Sequence, residues 1–266
     1  MPQPTTSWKS RHPVLFKNLI LLAIVAIAEV LLLSNNARLD TAAWRATRWF
    51  MGDQQPYSWA DVKLNAKTHP DAPWWRTTPP PLHSSVYHHS ENFWRILRDI
   101  GEPEEVLFIC LLLIVYDPAG FKSAGMLLGS VLGAGAVSEL FKCVFGRLRP
   151  IGPMANGHLN TGHNIWVLFR GFHTQHDLSF PSGHACAAFA MAAAVTYLSP
   201  KGRWLWLTLA WLTAFSRVVM QAHFYSDIIM GATIGWFAGF AVTIWLGKRL
   251  GVEQRHWPAA TAAQNT

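Results

Sequence analysis

The chain has 266 residues, 51% of them hydrophobic and only 14% charged, with 14 Trp and 15 Phe. A soluble domain carries about 25% charged residues, so this deficit and the long apolar runs exclude an ordinary cytosolic or secreted domain and imply an integral membrane protein. The net charge of +7 comes without a Lys/Arg stripe interleaved with aromatics; it excludes nucleic acid as a partner and fits basic flanks of spans together with an anion site.

Taken in chain order, the basic Lys9, Arg11 and Lys17 precede a first apolar span, Leu15 to Ser34. It contains Glu29, read as a bundle-facing polar contact, and ends without a small-residue cleavage site, which predicts a retained anchor rather than a cleaved signal. Residues 35–104 read as an outward-facing insert, with "HPDAP", "PPPL" and Trp44, Trp49, Trp59, Trp74, Trp75 and Trp94, aromatics suited to the headgroup layer. The second span, Glu105 to Tyr116, is shorter than the roughly 20 residues a perpendicular helix needs and can extend back through "RDIGEPEE".

A third span covers Phe121 to Phe145, and an outward loop follows over 146–181. The fourth span is Ser182 to Leu198, the fifth Arg203 to Gln221 and the sixth Ser226 to Leu246. Gly129 and Gly133, and then Gly231, Gly235 and Gly239, recur every four residues, which lets helix backbones approach closely. Cys110, Cys143 and Cys186 lie in apolar segments without CxxC spacing and read as free thiols.

These elements predict one all-α domain over 1–266, a polytopic six-helix bundle. The Lys and Arg residues of the N-terminal tail, of the loops with Lys122 and with Lys201 and Arg203, and of the tail with Lys248, Arg249 and Arg255 fall on one side, which makes both termini cytoplasmic. The insert and the 146–181 loop then face outward. The ends of the third and fifth spans and the starts of the fourth and sixth meet at that outer face.

Those ends carry unusual polar residues. In "ELFKCVFGRLRP", Lys142 and Arg149 are seven apart, close to two full turns at about 100° per residue, so both share a face if the helix continues to Pro150. Two cations at a helix end make an anion clamp; snorkelling is the alternative, disfavoured on an outer face. Glu139, one turn earlier, is placed to pair with Lys142. Pro181-Ser182-Gly183-His184 opens the alanine-rich fourth span. Its free N–H groups suit an anion, Gly183 permits close approach, and Ser182 can serve as an N-cap. In "FSRVVMQAHFYSDIIMG", Arg217 is a third cation, and His223 and Asp227 stand four apart, at which spacing a carboxylate can orient an imidazole. Singly, each of these residues has a structural reading as cap or loop contact. Together, three cations, two histidines and a carboxylate at one membrane face point to phosphate chemistry, because burying charge in a bundle is costly.

The three clusters resemble the tripartite motif of the type 2 phosphatidic acid phosphatase superfamily, K-x6-RP, PSGH and SR-x5-H-x3-D, with every fixed position present. The resemblance covers about the C-terminal half of the chain. It implies that His223 attacks phosphorus to form a phosphohistidine, that Asp227 orients it, and that His184 protonates the leaving oxygen and then activates water. It further implies that Lys142, Arg149, Ser182, Gly183 and Arg217 hold the phosphoryl oxygens. No cofactor and no metal follow. His158, His163, His173 and His176 of the outer loop, with His88 and His89 of the insert, lack the Cys or carboxylate that would complete a zinc site.

The expected partners are membrane lipids and a lipid phosphate substrate such as phosphatidate, phosphatidylglycerol phosphate, undecaprenyl diphosphate or lipid A phosphate. The expected location is a bacterial inner (plasma) membrane. Transfer of phosphate to another lipid, a vanadate-dependent haloperoxidase, and a non-catalytic lipid-binding or transport protein are the rival readings. Six spans argue against the haloperoxidase, which is soluble; a poised nucleophile argues against binding alone.

Overall fold

The computed structural model describes residues 13–51, 85–150, 166, 168–172 and 178–254. Helices are α1 (Pro13–Phe50), α2 (Ser85–Asp99), α3 (Pro103–Tyr116), α4 (Phe121–Phe145), α5 (Gly183–Leu198), α6 (Arg203–Val219) and α7 (Tyr225–Leu250). Among the described residues there is no strand, only two isolated bridges, Arg147 with Trp166 and Leu148 with Leu178. The all-α class therefore stands. The six-span count is not reached on length and composition: α4 and α7 are long and apolar enough to cross a membrane, while Ile20–Leu33 and α5 are apolar but shorter.

Alpha5 is the axis of the bundle. Its alanines Ala185, Ala188, Ala190, Ala192, Ala193 and Ala194 are buried, so the helix is apolar all round because it is packed all round. α7 lies against it on the glycine ladder. A Cβ on Gly231 would fall on the Ser182 carbonyl, one on Gly235 on the Cys186 carbonyl, and one on Gly239 would stand 2.9 Å from the Ala190 Cα. Gly129 and Gly133 of α4 take Leu246 and Val242 of α7 in the same way. Ser130 joins the three helices, its hydroxyl 3.0 Å from both the Ala190 and the Gly239 carbonyls.

Large apolar side chains line the outside. Ile27, Val30, Leu107, Leu132, Leu140, Leu205 and Trp245 are all exposed, an outer surface that suits lipid rather than water. Of the cysteines, Cys110 and Cys186 are buried, Cys143 is partly so, and all three are free.

Alpha1 departs from expectation. It does not stop near Ser34 but runs on to Phe50, so the first part of the supposed insert is helix. Glu29, Asp40 and Trp44 are buried along it, and at about 100° per residue they fall on one stripe. Trp44, expected at the headgroups, instead packs on Phe224 with ring centroids 6.0 Å apart. Trp49 is exposed, as a headgroup residue would be. Trp59, Trp74 and Trp75 lie outside the described residues. α2 sets Trp94 edge-on to Phe215 of α6 at 5.8 Å and leaves Phe93 and Ile96 exposed. "RDIGEPEE" does not extend the second span as one helix: α2 ends at Asp99, and α3 opens with Glu102 as its N-cap and Pro103 next. Proline suits that first position because its missing N–H has no helical partner there.

Candidate active site

Alpha4 stops at Phe145 because Gly146 takes a left-handed conformation (φ +54°), its N–H bonding the Lys142 carbonyl at 3.1 Å. Pro150 is thus not the terminator, and Lys142 and Arg149 do not share one helical face. Lys142 stays in the last turn, paired with Glu139 at 2.5 Å as its spacing suggested. The chain beyond Gly146 runs back across the bundle end. There the Ser179 N–H donates to the Arg147 carbonyl at 2.7 Å, and the Ser179 hydroxyl donates to the Leu148 carbonyl at 3.0 Å. This layer places the segment before α5 beside the segment after α4.

Phe180–Pro181 is a cis peptide bond. Ser182 follows as the N-cap of α5, its hydroxyl accepting from the Ala185 N–H at 3.5 Å and its own N–H donating to the Asp227 carbonyl at 2.9 Å. A Cβ on Gly183 would meet nothing within 4 Å, so this helix terminus borders open space.

His223 sits in the link between α6 and α7, two residues before α7, with 3% of its surface exposed. Its Nδ1 lies 2.8 Å from the Ser179 carbonyl and 3.6 Å from Asp227 Oδ2. The backbone carbonyl, not the carboxylate, is therefore the hydrogen-bond partner, which fixes the proton on Nδ1 and leaves Nε2 as the lone-pair nitrogen. Asp227 is engaged elsewhere: it accepts from the Phe224 N–H at 2.7 Å and from Arg147 Nη1 at 2.7 Å.

Burial holds the His223 imidazole well below the ordinary histidine pKa, and the charges of Arg149, Arg217, His184 and Lys142 push the same way. The backbone brings the three segments together: the Ser179 N–H meets the Arg147 carbonyl at 2.7 Å, and the Ser182 N–H meets the Asp227 carbonyl at 2.9 Å. Arg217 is itself buried, with Nη1 4.0 Å from Met220 Sδ and Nε without a partner among the described residues. A buried guanidinium with an unbonded nitrogen is costly unless an anion completes it.

Two further residues enter that sequence reading missed. His184 Nε2 lies 2.8 Å from Glu102 Oε1 at the head of α3, and a Cβ on the preceding Gly101 would stand 2.9 Å from the His184 carbonyl. The hydrogen bond to His184 holds the Glu102 carboxyl below the usual range. Arg147, fully buried, joins Asp227, Ser226 and Asp40 of α1. Neither pairing leaves a local pattern, because each joins residues 79 or more apart in the chain.

Among the described residues no three His, Cys, Asp or Glu side chains gather as a metal site. His158, His163, His173 and His176 lie outside them; His88 and His89 fall in α2.

An all-helical bundle whose outer surface is apolar, and whose end collects cations, a helix terminus and two histidines, has the make-up of a membrane protein that handles an oxyanion. Residues 123–250, just under half of the chain, match the profile described as the PAP2 superfamily. A lipid A 1-phosphatase of Rhizobium etli is 29% identical over 185 residues, covering 62% of this chain and 76% of that one. An undecaprenyl-diphosphatase of Sulfolobus acidocaldarius is 37% identical over 70 residues, 26% of this chain and 34% of that one. The crystal structure of a transmembrane PAP2-type phosphatidylglycerolphosphate phosphatase from Bacillus subtilis superposes with a TM-score of 0.53 at 16% identity, over 88% of this chain and 97% of that one. At that identity the likeness shows a shared fold.

Proposed function

We propose that this chain is an integral membrane lipid phosphatase that hydrolyses lipid phosphate monoesters or diphosphates through a phosphohistidine, without a metal ion. The observation that carries the reading is the setting of His223: a buried imidazole whose Nδ1 is tied to the Ser179 carbonyl, whose Nε2 is unbound by any partner among the described residues, and which feels the charges of Lys142, Arg149 and Arg217. A neutral histidine with one nitrogen fixed is a nucleophile, and cations around it are what a transferring phosphoryl group needs.

In this reading His223 Nε2 attacks phosphorus in line, and the bond from phosphorus to the leaving oxygen breaks. His184 gives that oxygen a proton. Water then attacks the phosphohistidine and yields a proton to His184, the P–N bond breaks, and inorganic phosphate leaves with both histidines restored. Ser182 and the Gly183 amide, at a helix terminus that borders open space, join the cations in holding the oxygens. Asp227 acts on His223 at 3.6 Å as a nearby negative charge rather than through a direct hydrogen bond.

The bundle is read as six spans, α1, α3, α4, α5, α6 and α7, with both termini cytoplasmic and the site at the outer face of an inner membrane. The gathering of the ends of α4 and α6 and the starts of α3, α5 and α7 at one end supports alternating passes. Relatives named for lipid A 1-phosphate and undecaprenyl diphosphate make those lipids the first to try. The test is phosphate release from a panel of lipid phosphates, phosphatidate included, in detergent with EDTA present. Wild-type turnover with EDTA and none for His223→Ala is the expected result. Turnover by His223→Ala ends the nucleophile assignment, and activity that requires a divalent ion ends the metal-free mechanism.

A further inference from the structure

We infer that Arg147 is a positioning residue for the nucleophile, and that Asp40 of α1 holds it in place. The inference rests on the reading of His223 as nucleophile. Arg147 stands in the chain between the two motif cations Lys142 and Arg149, yet it is fully buried and its guanidinium is taken up by two carboxylates. Its two ends secure both neighbours of the His223 imidazole. Its backbone carbonyl accepts the Ser179 N–H at 2.7 Å, and the Ser179 carbonyl in turn meets His223 Nδ1 at 2.8 Å. Its guanidinium meets Asp227 Oδ1 at 2.7 Å and Ser226 Oγ at 2.5 Å, and the other Asp227 oxygen caps the Phe224 N–H just after His223.

Arg147 Nη2 completes the set at 2.9 Å from Asp40 Oδ2. Asp40 accepts from the Ser226 N–H at 3.2 Å and from the Ser226 hydroxyl. Phe224 and Trp166 close over the guanidinium at 4.1 and 5.0 Å. A planar fork can satisfy two carboxylates at fixed angles, which a lysine cannot. Asp40 lies outside the segment that matches the PAP2 profile, so a helix beyond the family core supports the nucleophile.

The pH dependence of the pair follows from what faces His223: Asp227 from α7, Arg217 from α6, His184 from α5, and Lys142 and Arg149 from α4 and the segment after it. Removing the Arg147 charge leaves Asp227 uncompensated beside the imidazole, so the imidazole binds a proton more readily.

The experiment compares Arg147→Met, Arg147→Lys, Asp40→Asn and Asp40→Glu with wild type and His223→Ala. All are purified in detergent and assayed on a lipid phosphate that the wild type turns over, with rates normalised to the folded, monodisperse fraction. Arg147→Met is expected to lose kcat by on the order of 100-fold, the loss expected of an ångström-scale misplacement, with KM within about threefold. The acid limb of its kcat/KM profile should move to higher pH. Asp40→Asn should lose about tenfold, with Arg147→Lys between the two and Asp40→Glu restoring part of the rate. Normal kcat and an unmoved acid limb in folded Arg147→Met or Asp40→Asn would overturn the inference, as would a loss confined to folded yield. Should Arg147→Met fail to fold, the isosteric Asp40→Asn decides by the same criteria. A silent His223→Ala beside active Arg147→Met and Asp40→Asn defeats only this inference; an active His223→Ala defeats the reading beneath it.

Discussion

Glu102 offers the most direct test of how the second histidine works. Glu102→Ala removes the carboxylate that meets His184 Nε2 at 2.8 Å, and Glu102→Gln keeps a neutral acceptor there. A hydrogen bond to a charged group contributes about 1.5–3 kcal/mol. The two side chains keep 23% and 36% of their exposure, so water screens the pair and cuts the contribution to about 1–2 kcal/mol. At 1.36 kcal/mol per factor of ten, the alanine variant should lose about 5- to 30-fold in kcat, and glutamine less. Steady-state phosphate release from detergent-solubilised lipid phosphate measures it, alongside His184→Ala and the double variant. If Glu102 acts through His184 alone, the double variant is no slower than His184→Ala. Losses that multiply in the double variant would refute the pairing as the route of action, and so would an unchanged rate in Glu102→Ala.

Because burial and four neighbouring groups hold His223 well below the ordinary histidine range, the neutral form required for attack persists as pH falls. The acid limb of kcat/KM should therefore lie well below about pH 6.5, and a limb centred at the ordinary histidine value would contradict the assignment. Gly235→Val should abolish a monodisperse detergent-solubilised protein or lower its Tm sharply, since its Cβ would fall on the backbone carbonyl of Cys186, which no rotamer can vacate. A variant with wild-type melting would show that the two helices can separate there.

How far the sequence reached depends on distance along the chain. The third span, Phe121 to Phe145, was legible to the residue, and the starts and ends of α5, α6 and α7 fell within a few residues, because apolar runs bounded by Gly, Ser and Pro mark helix limits locally. The gathering of Lys142, Arg149, His184, Arg217 and His223 followed from alternating helix direction. Gly146 defeated the idea of one continuous face: only its positive φ, not its place in "FGRLRP", shows that α4 ends there. Residues 35–50 were read as an insert because Asn35, Asn36, Arg38, Asp40, Arg45 and Arg48 make them polar on average. The four-residue step from Asp40 to Trp44, continuing the stripe of Glu29, was the available sign of a helix with one buried face. Glu102 and Arg147 gave no such sign, since their partners come from other helices.

The glycine ladder of α7 bears on more than packing. One of the helices it joins carries His184 in its first turn, and the other begins two residues after His223, with main chain touching main chain at Gly231 and Ser182. The gap between the two histidines is therefore gauged by covalent dimensions, like jaws machined from one block, with no side chain between them to lengthen or trim. Sequence drift elsewhere can reshape what surrounds the two histidines. It cannot retune the gap between them without first prising the helices apart.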